Sequence, residues 1–267
     1  MRVLFIGDIV GSPGRHIVRE RLADLVELRQ IDLVIANGEN SASGFGITPK
    51  ITEELLGLGI EVITGGNHSW DRKEILEYLP HQPRLLRPAN FASRNPGSGL
   101  FIGESRKGLK FAVLNVQGRV FLPSNDDPFK RADEELAKIP PDVSFVLVDM
   151  HAETTSEKIA FGWYLDGRVT VVIGTHTHVP TADEHVLPKG TAYITDVGMT
   201  GPHDGVIGME RAAIIQKFLD GLPTRFEVAT GDIQMNAVLI ETDDSGPRNE
   251  AGRLKAKSIE RLRLRID

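Results

Sequence analysis

Five places in the chain end an apolar run with residue types that bind metal ions. Gly7-Asp8 follows Val3 to Ile6, Gly38-Glu39-Asn40 follows Leu33 to Ala36, and Gly66-Asn67-His68 follows Val62 to Thr64. Asp149-Met150-His151 follows Val143 to Val148, and Gly174-Thr175-His176-Thr177-His178 follows Val169 to Ile173. The last stretch sets two imidazoles around one threonine. One nitrogen of each ring can take a metal while the other is held by a neighbouring group. Mixed oxygen and imidazole donors suit Mn, Fe or Zn better than Ca or Mg. A carboxylate can also bridge two ions, and two ions ~3.5–4 Å apart stabilise both the attacking and the leaving oxygen of an in-line phosphoryl displacement.

Each place has a plainer reading on its own. Asp8 fits a helix N-cap, Asn40 a turn with Ser41 and Ser43, Asn67 a left-handed turn and His68 a helix cap. His151 fits a satisfied buried histidine, and His176 with His178 an exposed pair on one face of an extended segment. Jointly these readings require ligand-type residues at five strand ends by accident. Convergence of independent motifs favours a metal site.

The elements that would position these residues are short apolar runs alternating with amphipathic stretches. Strands are expected at Val3 to Ile6, Leu33 to Ala36, Val62 to Thr64, Phe111 to Val116, Phe145 to Val148 and Val169 to Ile173. Others are expected at Thr191 to Thr195, Phe226 to Thr230, Met235 to Glu241 and Ser258 to Ile266. Helices are expected at Arg15 to Arg29, Pro49 to Leu58, Arg72 to Leu79, Asp127 to Ile139, Thr154 to Trp163 and Ala212 to Leu222. Pro49 suits a first helical turn, and Pro80 stops the third helix. Residues 80–108, rich in Pro, Gly, Arg and Asn, read as loops. The βαβαβ opening predicts a mainly parallel or mixed sheet with helices packed on it. Ligand sites of layered α/β folds gather outside the carboxyl ends of the strands, so residues spread along the sequence can converge. No repeat or linker divides the chain, and residues 1–267 read as one domain.

Composition narrows the function. At 267 residues, 40% hydrophobic and 25% charged, the chain can bury a substantial core. A net charge of −6 disfavours a broad polyanion-binding surface, so no stable nucleic-acid complex is expected. Zero cysteines excludes disulfides, thiolate ligation and cysteine nucleophiles. No segment approaches the ~20 apolar residues needed to span a bilayer, so no membrane association is expected and the cytoplasm is the expected compartment. A homo-oligomer is left open. Gly11-Ser12-Pro13-Gly14-Arg15 lacks the ending of a nucleotide-binding phosphate loop, and its glycines read as a tight turn near Asp8. His203, in Gly201-Pro202-His203-Asp204-Gly205, is a candidate to border the pocket. The basic tail from Arg253 to Arg265 reads as a solvated face.

The ordered set of five motifs resembles the calcineurin-like metallophosphoesterase superfamily, and within it the YmdB-like branch of bacterial cyclic-nucleotide phosphodiesterases. Ile6-Gly7-Asp8-Ile9-Val10-Gly11 and Asp196-Val197-Gly198-Met199-Thr200-Gly201-Pro202 extend the likeness over nearly the whole chain. Val10 stands where the superfamily usually has a histidine, and Glu39 where it usually has an aspartate; both departures fit that branch. The resemblance implies an α/β-β/α sandwich of mixed sheets between helices, and a centre of two divalent or trivalent ions, Fe or Mn first and Zn as an alternative. Asp8, Glu39, Asn40 and His178 are assigned to one ion, and Glu39, Asn67, His151 and His176 to the other. It further implies that a metal-bridging hydroxide attacks a small cyclic nucleotide such as 2′,3′-cAMP while His68 protonates the leaving oxygen. Asp71, three residues on, is a candidate to orient His68. A phosphomonoesterase or nuclease using the same centre, and a non-catalytic metal-stabilised regulatory protein, are the competing readings.

Overall fold

The computed structural model describes residues 1–105 and 107–266, leaving position 106 of the predicted 80–108 loop and residue 267 outside. Two six-stranded sheets pack face to face with helices on their outer surfaces. The first half of the chain supplies β1 (Arg2–Ile6), α1 (Gly11–Arg29), β2 (Leu33–Asn37), α2 (Pro49–Gly57), β3 (Val62–Thr64), α3 (Ile75–Tyr78), β4 (Leu100–Glu104) and β5 (Lys110–Gln117). Then come α4 (Pro128–Leu136), β6 (Phe145–His151), α5 (Thr155–Leu165), β7 (Val171–Thr175), β8 (His185–Val186), β9 (Ala192–Ile194) and β10 (Gly201–Pro202). The chain closes with α6 (Arg211–Asp220), β11 (Ile233–Thr242) and β12 (Ala256–Arg265).

One sheet runs β10-β11-β1-β2-β3, with β12 on the other edge of β11, and the second runs β4-β5-β6-β7-β9-β8. Strands β1, β2 and β3 are parallel to one another, as are β5, β6, β7 and β9. Their carboxyl ends carry the five motifs. Side-chain alternation builds the layers. Along β1, Val3 and Phe5 face the space between the sheets, where they join Leu33, Ile35, Phe145, Leu147 and Val171. Leu4 and Ile6 face outward and join Ile17, Leu22 and Leu55 of the covering helices. On the far side, Leu114, Val146 and Val148 pack against Ala132, Phe161 and Leu165. A sheet covered on both faces reads as a continuous apolar run, which is the pattern of β6 and β7. The result is the expected α/β-β/α sandwich of mixed sheets between helices. No helix among the described residues is long and apolar enough to cross a membrane.

Several elements differ from expectation. Helix α1 begins four residues early: Gly11 takes φ +59° and turns the strand exit directly into the helix, and Pro13 sits in its first turn. Residues 72–79 form only the short α3 and the start of a 3₁₀ turn, and the Arg72 guanidinium ahead of them donates to the carbonyls of Ala42 and Phe45. Within the predicted loop 80–108 lies β4, an edge strand antiparallel to β5. Residues 226–230 form no strand; only a bridge from Val228 to Met209 pairs them. In the basic tail, Arg253 is buried, its guanidinium donating to the carbonyls of Ile139, Pro140 and Val143.

Candidate metal centre

The inward positions at the strand ends turn polar and tie the two sheets together. Asn37 ends β2; its amide donates to Asp149 Oδ2 across the sheet interface at 3.3 Å and to Gly65 O at 3.2 Å. Thr64 Oγ1 donates to the same carboxylate oxygen at 2.5 Å, and Asn115 Oδ1 accepts from Gly65 N at 3.1 Å. Glu39 N donates to Asn37 Oδ1 at 3.1 Å. This fully buried layer locks the register of the two sheets, so the half-sites they carry meet at one point.

Glu39, His151 and His176 each offer one donor atom, and all three atoms lie within 4.8 Å of one another. Glu39 Oε1 is 2.9 Å from His151 Nε2, and Asn67 Oδ1 and His176 Nδ1 are each 3.0 Å from that same nitrogen. Gly66 has to be glycine here, since a Cβ would fall 2.2 Å from Glu39 Oε2 and 2.3 Å from His151 Nε2. Gly174 is constrained likewise, its Cβ position lying 1.7 Å from Thr195 O. Beside this cluster, Asp8 Oδ1 and Asn40 Oδ1 are buried without a hydrogen-bond partner. The Asn40 amide nitrogen donates to Gly44 O at 3.0 Å, so the turn role and a free carbonyl oxygen coexist in one side chain. Asp8 caps no helix: the N-cap of α1 is Val10. Orphaned buried oxygens next to converging imidazoles fit a cation.

Each of the three histidines has its second nitrogen held. Thr175 Oγ1 donates to Asp149 Oδ1 at 2.7 Å and therefore accepts from His151 Nδ1 at 2.9 Å, leaving His151 Nε2 for a metal. His176 Nε2 pairs with Glu153 Oε2 at 3.0 Å, leaving Nδ1; His178 Nδ1 donates to Ile207 O at 2.9 Å, leaving Nε2. Breaking such an outer contact typically costs ~10–100-fold in metal affinity. Asp149→Asn is accordingly expected to weaken metal binding by roughly that factor in a titration of metal-free protein, and unchanged affinity would refute the assignment.

The backbone around the histidine pair is unusual. His176 has φ +102° and His178 φ +66°, a region costly for side chains with a Cβ. Asp196 holds it, accepting from Thr177 N at 3.1 Å and Thr177 Oγ1 at 2.8 Å. Lys158 completes the arrangement with a buried ion pair to Asp196 at 2.6 Å. Removing one partner of such a pair costs about 3–5 kcal/mol. Lys158→Met is expected to lower unfolding free energy by about that much in urea denaturation, and a loss below about 1 kcal/mol would contradict the role.

Electrostatics follow from packing several carboxylates in a dry site. Burial, opposed by His151 and reinforced by Asp196, Glu39 and Asp149, holds the Asp8 carboxyl well above its usual range. For Glu39, burial is outweighed by the charge and hydrogen bond of His151, with His68 adding, and the carboxyl drops to about 2. His151 rises to about 9, burial being overcome by Glu39, Asp8 and Asp149. Burial and the neighbouring His151 push His176 down to about 3. A bound cation would satisfy the same carboxylates and leave the imidazoles neutral.

Glu39, Asn40, His68, His176 and His178 line a cavity of ≈ 520 Å³ whose outer wall includes Phe45, Val179 and Phe226. His68 Nδ1 lies 2.8 Å from Asp71 Oδ2, and its ring meets Phe45 edge to face at 5.2 Å. His203 is not among the residues lining this cavity; it is bonded to Gly201 O and the Asn236 amide. Sequence reasoning missed the holding groups Asn37, Thr64, Asn115, Asp149, Thr175, Glu153, Lys158 and Asp196. For all but Lys158, which lies within α5, the signal was a polar residue at or near the end of an apolar run.

A two-sheet sandwich with a carboxylate–imidazole cluster at the strand ends defines a metallophosphoesterase. A family model described as YmdB-like protein matches residues 4–257. The chain is 50% identical over 267 residues to the 2′,3′-cyclic-nucleotide 2′-phosphodiesterase of Bacillus subtilis (strain 168), covering 100% of this chain and 98% of that one. A solved hypothetical protein from Thermus thermophilus matches with TM-score 0.90 at 40% identity, covering 99% of both chains. A solved structure described as a novel phosphatase from Mycoplasma pneumoniae matches with TM-score 0.90 at 40% identity, covering 99% of this chain and 93% of that one. The chain belongs to the YmdB-like family of calcineurin-like metallophosphoesterases.

Proposed function

We propose that the chain is a metal-dependent phosphodiesterase of small 2′,3′-cyclic nucleotides such as 2′,3′-cAMP, acting in the cytoplasm and opening the bond to the 2′ oxygen. The observation that carries this reading is the full-length 50% identity to the Bacillus enzyme, in a chain whose buried cluster suits a metal. Asp8, Glu39, Asn40 and His178 would hold one ion and Glu39, Asn67, His151 and His176 a second, with Fe or Mn preferred and Zn compatible. Such ions supply positive charge for the phosphate oxygens and make a nucleophile of water near neutral pH.

The chain's own residues do the rest. Asp71 accepts from His68 Nδ1, which leaves Nε2 as the nitrogen available in the cavity. As the water oxygen bonds phosphorus and the P–O2′ bond breaks, His68 delivers its Nε2 proton to the ribose 2′ oxygen. The water sheds one proton to solvent, from which His68 is reprotonated, and the product is the 3′-phosphate. Asp71 fixes the orientation of the ring for that transfer. Phe45, Val179 and Phe226 form the apolar outer wall of the cavity.

The test is a metal-reconstituted assay across 2′,3′-cAMP, 3′,5′-cAMP, bis-p-nitrophenyl phosphate, p-nitrophenyl phosphate and a single-stranded RNA. The highest kcat/KM is expected for 2′,3′-cAMP, with 3′-AMP as product. A preference for the monoester would make the chain a phosphatase, and absence of metal-dependent turnover of any phosphodiester would overturn the reading.

A further inference from the structure

We propose that a second cavity beside the centre, with the Gln117 amide at its base and Trp70 and Phe91 on its wall, receives the nucleobase of the substrate. The proposal builds on the nucleotide reading above and names the subsite that reading leaves open. The cavity measures ≈ 400 Å³, within the ~300–1,000 Å³ of small-molecule sites. It starts where the centre ends: Asn67 lines it and is also 3.0 Å from His151 Nε2.

Gln117 is the last residue of β5 and lies directly opposite His151 in the parallel ladder. Two-residue alternation from Phe111 and Val113, which face between the sheets, puts Gln117 on that same face. Its side chain is fully buried, and neither Oε1 nor Nε2 has a hydrogen-bond partner. The backbone there is fixed, since Gln117 N donates to Asn90 Oδ1 at 2.8 Å and Gln117 O accepts from Asn90 Nδ2 at 2.7 Å. An amide with both ends unpaired is costly to bury, and a ligand edge carrying a donor beside an acceptor relieves both at once. Nucleobase edges carry that pair, and glutamine is one of the side chains that reads it.

The wall supplies the second requirement. Half-buried Trp70 and buried Phe91 lie 5.8 Å apart at 45°, and stacking on an aromatic ring accepts any base. None of the residues lining this cavity is cationic, so it is unsuited to a second phosphate. The larger cavity is a poorer base site: beyond the centre it is lined by apolar side chains such as Phe45, Ile207 and Phe226, and its polar Thr177 and Glu153 are already engaged with Asp196 and His176.

Two measurements test this. Gln117→Met keeps the volume and removes the amide. The ratio of kcat/KM for 2′,3′-cAMP to that for base-free bis-p-nitrophenyl phosphate is expected to fall on the order of 10- to 100-fold, the scale of one lost base contact. The chain has two tryptophans, so in Trp163→Phe the fluorescence reports Trp70 alone. Adenosine is expected to quench it saturably, an arm that depends neither on turnover nor on the folding of the Gln117 variant. An unchanged ratio in an enzyme that hydrolyses 2′,3′-cAMP overturns the subsite, as does the absence of quenching. Turnover of bis-p-nitrophenyl phosphate without turnover of any cyclic nucleotide, but with adenosine quenching, would instead overturn the substrate reading and leave the subsite standing.

Discussion

Glu39→Gln is expected to lower phosphodiester hydrolysis on the order of 10³-fold, the equivalent of losing several kcal/mol of metal-derived charge stabilisation at about 1.4 kcal/mol per tenfold. Glu39 is 1% exposed and reaches both halves of the site, with Oε1 on His151 and Oε2 accepting from His68 N at 3.1 Å. Glutamine keeps the shape but withdraws a negative charge and offers an amide NH₂ where a second donor oxygen stood. Bound metal is expected to drop with activity. Loss of one partner of the buried Glu39–His151 pair also destabilises metal-free protein, by about 3–5 kcal/mol. A far-UV circular dichroism melt therefore accompanies the assay, so that inactivity is read only from folded protein. Full metal content with activity within about tenfold of the parent would show that Glu39 does not hold metal.

His68→Ala is expected to behave differently: kcat for 2′,3′-cAMP falls by ~10²–10⁴ while metal content stays unchanged. The separation follows from position. His68 lines the cavity and is oriented by Asp71, while the mutual cluster of donor atoms is Glu39, His151 and His176. A proton donor matters in proportion to the basicity of the leaving oxygen. The deficit is therefore expected to be large for a ribose leaving group and small for p-nitrophenolate, which departs without a proton. Asp71→Asn should reproduce the leaving-group dependence with a smaller loss. An equal loss on both substrates would assign His68 to binding, and loss of metal would make it a ligand.

The strand ends were legible because each follows an uninterrupted apolar run, and burial on both faces leaves little else for such a run to be. A sheet with helices packed on it followed from the same runs alternating with helices, while the pairing of two sheets into a sandwich followed only from the family resemblance. What was hidden is what tertiary contact alone creates. Thr64 and Asn115 fall inside expected strands, Asp149 and Thr175 inside the ligand-type motifs and Asn37 just past a strand; they become one network only when the two sheets meet. Lys158 lies in the middle of an ordinary helix and reads as solvated, yet its ammonium crosses to Asp196. The stretch 226–230 has strand composition but lacks a partner strand to complete a ladder, whereas Leu100–Glu104 becomes a strand through its pairing with β5. Arg253 shares its charge with the solvated tail, but its guanidinium is buried and gathers three carbonyls of the single loop between α4 and β6. Propensity and spacing located the candidate donors; the groups that aim them depend on contacts between residues distant in sequence.

The central claim is that these five strand ends form one metal centre that hydrolyses a phosphodiester. It is tested most directly by titrating metal-free protein with Mn²⁺ while following ions bound per chain and 2′,3′-cAMP turnover on the same samples. Turnover is expected to be absent without metal and to reach its maximum at about two ions per chain, as a shared two-ion site requires. Undiminished turnover in the metal-free protein, or none at any loading, would contradict the account.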